Sequence, residues 1–75
     1  MEEKIYNIIM KCLHIHERSE IQLNDDFIDD LGANSGHMAE IIMMIEAEFN
    51  IIISDQESSE LTTVGKIINY VKENI

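Results

Sequence analysis

Ser35, with His37 two residues further on, is the place where this chain's residue types and spacing could do chemistry. A serine hydroxyl with an imidazole as general base is a nucleophile arrangement, and would make the protein a small hydrolase. Such a site needs the base within hydrogen-bond reach, a third group to orient it, and donors for an oxyanion. Residues two apart at the start of a helix do not face each other, and no third residue suggests itself. The plainer local role for Ser35 is a helix N-cap, which Asn34 would fill equally well.

Other reactive side chains offer less. Cys12 lies on an apolar helical stripe with Ile5, Ile8 and Ile9, the setting of a small core residue and not of a reactive thiol. His14 and His16 diverge on a helix and do not share a metal. Asp25, Asp26, Asp29 and Asp30 resemble a calcium loop in composition only, since no frame supplies the glycine and glutamate at the required positions. No metal site is expected.

Four helices must position these residues. The first spans roughly 2–16, its stripe continued by Ile15 or His16, with Glu2 and Glu3 at the positive end of its dipole. A long connection runs from Glu17 to Asn34. It is polar, yet Ile21, Leu23, Phe27, Ile28 and Leu31 predict that it packs down as an ordered loop. Asn24 or Asp25 would cap a short helical turn over 27–31, broken by Gly32. The central helix runs from Ser35 to Phe49. Met38, Ile42, Ile45 and Phe49 form its core stripe with Ile41 on the edge, and Ala39, Glu40, Met43, Met44 and Ala47 face outward. Two adjacent outward methionines suit an adaptable binding surface. Ile51-Ile52-Ile53 has strand propensity but no partner strand, and reads as a buried connector. Ser54 or Asp55 caps a short third helix over 55–60. Thr62 or Thr63 starts the last helix, whose stripe is Val64, Ile67, Ile68, Val71 and Ile75. The fold expected is an all-α four-helix bundle with a short third helix and a long ordered loop after the first.

The runs 25–35 (Asp-Asp-Phe-Ile-Asp-Asp-Leu-Gly-Ala-Asn-Ser), 45–49 (Ile-Glu-Ala-Glu-Phe) and 61–65 (Leu-Thr-Thr-Val-Gly) resemble acyl carrier proteins over nearly the whole chain. The resemblance implies that Ser35 carries a phosphopantetheine arm, transferred from coenzyme A, whose terminal thiol holds acyl or ketide groups as thioesters. The placement is physically sound: a phosphodiester at a helix start meets free N–H groups and the positive end of the dipole. The resemblance also implies a partner-docking face including His37, Ala39, Glu40, Met43, Met44 and Glu46. Within the bundle, Ile42, Ile45, Ile53, Ile67 and Ile68 are candidates to line an acyl pocket. The family's attachment motif is Asp-Ser-Leu, whereas this chain has Asn34-Ser35-Gly36. Acid is also missing where His37 and Ala47 stand. These departures point to a dedicated fatty-acid or polyketide-type pathway. The implied partners are a phosphopantetheinyl transferase and a ketosynthase, acyltransferase or acyl ligase with basic docking surfaces. An unmodified, carrier-like docking subunit is the alternative.

Length and charge agree with a small shuttle. The chain has 75 residues, enough for one acyl carrier domain, and a net charge of −10. Between Ser19 and Gly65 there is no Lys or Arg but eleven Asp and Glu. That field repels nucleic acid and anionic membrane and attracts basic protein surfaces. One cysteine excludes an internal disulfide. No signal peptide or membrane span is evident, so a cytoplasmic monomer without catalytic activity of its own is expected.

Overall fold

A computed structural model describes residues 1–75. It comprises α1 (Glu2–Leu13), α2 (Ser35–Phe49), α3 (Asp55–Glu60) and α4 (Val64–Asn74), with one 3₁₀ turn at Arg18–Glu20. The expected all-α bundle is therefore present. One buried cluster of aliphatic side chains, with Tyr6, Cys12 and Phe27, holds it together.

Ile5, Ile8, Ile9 and Cys12 of α1 are buried as the spacing predicts, and Tyr6 joins them under the guanidinium of Arg18, 3.2 Å from the ring centroid. The helix stops before Ile15 and His16. His14 adopts φ 56°, and its N–H returns to the Met10 carbonyl. This left-handed cap exposes His16 and leaves Ile15 half-buried.

On α2 the fully buried residues are Ile41 and Ile45, while Met38, Ile42 and Phe49 are half-buried. The core face is thus turned toward Ile41, which the spacing placed on its edge. The cause is α1, which packs on that flank: the Cys12 sulfur lies 3.4 Å from the Met44 sulfur. The opposite flank, with Met38 and Ile42, borders an open groove.

The long loop is ordered, and a single α-turn closes over 27–31 through Asp30 N–H to Asp26 O at 2.9 Å without continuing into a helix. The Asp26 carboxylate accepts from the N–H groups of Ile28 (2.9 Å) and Asp29 (3.0 Å), so Asp26 organises the turn in place of Asn24 or Asp25. Gly32 at φ 73° then redirects the chain. Ile21 and Phe27 are buried, whereas Leu23 and Ile28 are exposed. The loop is laced to the start of α4 by Phe27 N–H to Thr62 O, Val64 N–H to Asp25 O and Gly65 N–H to Leu23 O. Thr63 caps α4 through Lys66 N–H, and Ser54 caps α3 through Glu57 N–H. Ile75 lies beyond the last turn of α4 and is exposed, so the stripe ends at Val71.

The connector between α2 and α3 alternates. Ile53 is buried, Ile51 half-buried and Ile52 87 % exposed. An extended segment turns successive side chains to opposite sides, so this stretch is only partly the buried connector expected.

Candidate functional site

The start of α2 is built by a reciprocal cap. The His37 N–H donates to Asn34 Oδ1 at 2.8 Å, and the Asn34 N–H donates to His37 Nδ1 at 3.0 Å. This is a capping box with imidazole where Glu or Gln is usual. Asn34 fills the cap, so the exposed hydroxyl of Ser35, first residue of the helix, is left out of it. The N–H groups of Ser35 and Gly36 point out of the same first turn with no intrahelical acceptor. A Cβ on Gly36 would stand 3.2 Å from Asn34 Oδ1, so glycine leaves the capping oxygen uncrowded. His37 is tied into the cap and does not turn toward Ser35 as a base.

Beside Ser35 lies a groove of about 660 Å³ between α2, the turn at 26–29 and α3. Met38, Ala39, Ile42 and Met43 line the α2 side, Phe27 and Ile28 the loop side, and Ile53 and Leu61 the end nearest α3. Its rim is acidic or hydroxylic, with Asp29, Asp55, Ser58 and Ser59. Of the five isoleucines expected at a pocket, Ile42 and Ile53 line this groove. Ile45, Ile67 and Ile68 do not, because they are buried in the core cluster. Phe27, Ile28 and Leu61 are lining residues that sequence reasoning missed. Ile28 had a signal, an aliphatic residue beside the aromatic Phe27 in a run of acids.

The outward face of α2 is narrower than its sequence suggests. Met43 is 67 % exposed, and Ala39 and Glu40 are exposed. Met44 is turned toward Cys12 and packs on the core, so the pair of outward methionines is a single one. Glu46 is half-buried, and its Oε2 accepts the Ile53 N–H at 2.8 Å. The two ion pairs, Lys4–Glu48 at 3.2 Å and Lys72–Glu2 at 2.9 Å, leave Glu40 without a basic partner. Ile28, 58 % exposed, extends the apolar strip across the groove from Met43.

Titration behaviour agrees with inert interior groups. Burial pushes the Cys12 thiol up to about 11, and the nearby Glu40 carboxylate adds to the effect. Such a thiol is not a nucleophile at neutral pH. No group of His, Cys, Asp and Glu is arranged to hold a metal ion. No helix is long and apolar enough to cross a membrane.

An uncommitted serine at a helix start, beside an apolar groove, suits a tethered group. Residues 3–71 match the family model described as a phosphopantetheine attachment site. The acyl carrier protein of Clostridium acetobutylicum is 43 % identical over 70 residues, covering 93 % of this chain and 90 % of the relative. That of Chlamydia caviae is 40 % identical over 72 residues, covering 96 % and 92 %. The chain belongs to the acyl carrier protein family. It is accordingly a carrier and not an enzyme, and its cofactor is covalently attached phosphopantetheine. That arm supplies a thiol to which acyl groups are held as thioesters. The residues present fit it: free N–H groups and the positive helix end for a phosphodiester, and an apolar trough for an acyl chain.

Proposed function

We propose that Ser35 is the attachment residue, and that the adjoining groove shelters a fatty-acyl or polyketide-type chain between encounters with partner enzymes. The observation that carries this reading is the division of labour at the helix start: Asn34 caps, and Ser35 presents a free hydroxyl at the mouth of the groove. The chain's own residues bind and orient, since chemistry on the cargo belongs to the arm and to partner enzymes. Intact mass and peptide mapping after incubation with coenzyme A and the host's transferase test the assignment. One arm on the Ser35 peptide is expected, and none on Ser35→Ala. Modification elsewhere, or none at all, removes the reading and leaves an unmodified docking subunit.

The docking face is assigned to Glu40, Ala39 and Met43 on α2, with Ile28 across the groove. The partners are a phosphopantetheinyl transferase and a ketosynthase, acyltransferase or acyl ligase bearing basic surfaces. Unneutralised acid steers the encounter and exposed apolar groups finish the contact. Glu40→Lys is expected to slow association with a cognate partner severalfold, and added salt to slow the unaltered protein, in stopped-flow or surface-binding measurements. Rates indifferent to both would remove the acidic-face assignment.

Asn34 and Gly36 favour a specialised, cytoplasmic pathway with its own transferase. Asn34 caps without the charge an aspartate would add, and Gly36 loosens the first turn by up to about 1 kcal/mol relative to alanine. A housekeeping transferase that grips acid and an apolar side chain finds neither here. The double change Asn34→Asp with Gly36→Leu is therefore expected to raise its modification rate severalfold, read from timed mass spectra. The fold should persist, because the contact at 3.2 Å asks the capping oxygen, on an exposed side chain, to shift by only a few tenths of an ångström. Equal rates would mean that these two positions do not select the transferase.

A further inference from the structure

The carbonyl of Ile52 and the N–H of Ile53 are the two halves of one peptide unit, and each is held by a different helix. Tyr70 of α4 donates its hydroxyl to Ile52 O at 3.4 Å. Glu46 of α2 accepts the Ile53 N–H through Oε2 at 2.8 Å. A trans peptide directs its carbonyl and N–H to opposite sides, so the two side chains grip the connector from both faces. The grip decides the facing of two neighbours: Ile52 goes to solvent, and Ile53 goes into the floor of the groove.

Beyond the clamp, the chain has little else to fix it. α3 begins two residues after Ile53 and contains no buried side chain. Its own box, Ser54 Oγ accepting from Glu57 N–H at 3.1 Å, holds the turn together, and its one tie to another element is the Glu57 carboxylate beside the Tyr70 hydroxyl of α4. Yet Asp55, Ser58 and Ser59 of α3 form one wall of the groove. That wall is therefore positioned by the clamped peptide before it, by buried Leu61 after it and by Tyr70, which touches both the clamped peptide and Glu57. Tyr70 is a protonated donor at neutral pH, and burial and the neighbouring Glu57 carboxylate raise its ionisation further above the ordinary 10.0.

We infer that Glu46 and Tyr70 are positioning residues which, by clamping the 52–53 peptide between α2 and α4, set the distance of α3 from α2 and hence the length of acyl chain the groove protects. This assigns Glu46 a task that depends on its acceptor oxygen, whereas a docking role would depend on its charge. The second half of the inference rests on the groove carrying acyl chains; the first half does not.

The test separates acceptor from charge and clamp from cargo. Glu46→Gln keeps an acceptor oxygen and loses the charge; Glu46→Ala loses both; Tyr70→Phe removes the hydroxyl, and with it both the bond to Ile52 O and the contact with Glu57. In the unmodified protein, amide exchange at Ile53 is expected to speed up about tenfold in Glu46→Ala and to change little in Glu46→Gln. In protein carrying octanoyl or butanoyl thioester, attack by hydroxylamine should quicken severalfold for octanoyl in Glu46→Ala and Tyr70→Phe. Butanoyl, four carbons shorter, gives that wall less chain to cover and should change much less among the variants. Unchanged Ile53 exchange in Glu46→Ala overturns the clamp. So does Glu46→Gln behaving like Glu46→Ala, because charge would then be the operative property. Altered exchange with unaltered octanoyl attack overturns the link between clamp and groove. If no thioester can be loaded on Ser35, the exchange arm still decides the clamp and the attachment assignment fails separately.

Discussion

Phe27→Ala is expected to cost about 3–5 kcal/mol, enough to leave a chain of this size largely unfolded at ambient temperature. Phe27 is 1 % exposed and is among the largest fully buried side chains. Its backbone is also committed, with N–H to Thr62 O at 3.0 Å and its carbonyl accepting from Ala33 N–H at 2.8 Å. The ring therefore pins the long loop against the start of α4. Truncating it opens a cavity and frees the segment that delivers Asn34 and Ser35 to α2. Its neighbour provides the control. Ile28 points outward, and Ile28→Ala should change stability by no more than about 0.5 kcal/mol. Urea unfolding followed by far-ultraviolet circular dichroism measures both. A loss below about 1 kcal/mol for Phe27→Ala would mean that the loop is not anchored by this side chain.

That contrast marks what the sequence can and cannot disclose. Periodicity exposes the helices because one face of each must be apolar. The stripes Ile5-Ile8-Ile9-Cys12 and Val64-Ile67-Ile68-Val71 are buried as their spacing predicts. Caps also declare themselves: Asn34, Ser54 and Thr63 are all residues that accept an N–H. Periodicity does not say which neighbour lies against which flank. On α2 the helix is apolar over a wide arc, and only the placement of α1 turns Met44 inward and leaves Met38 and Ile42 at the groove. The loop was harder, because Phe27 and Ile28 are both apolar and adjacent, and one must face out. Glu46 illustrates a further limit. A carboxylate on an acidic helix reads as solvated, and its partner is a backbone N–H seven residues away, which carries no residue-type signal.

Alkaline unfolding provides the other large effect. Burial holds the Cys12 thiol neutral up to about 11, against an ordinary value of 9.0 that it regains in the unfolded chain. The folded state thus binds this proton more tightly than the unfolded state. Its stabilising contribution is complete below pH 9 and declines as the pH rises through about 11. Across that window the loss amounts to roughly 2 kcal/mol, one proton's worth of slope in unfolding free energy against pH. Tyr70 acts in the same direction, since its ionisation is also raised, first by burial and then by Glu57. Cys12→Ala should lower stability at neutral pH through lost packing against Met44, yet flatten the decline between pH 9 and 11. Tyr70→Phe in the same background should flatten what remains above pH 10. Urea midpoints at unit pH steps from 7 to 11 give the comparison, with slopes in denaturant checked for constancy. A decline in Cys12→Ala as steep as in the unaltered protein would place the alkaline sensitivity elsewhere. The remaining sources would then be the ionisation of Tyr70 and the growth of net negative charge on a chain already at −10, the second of which added salt would screen and a buried thiol would not feel.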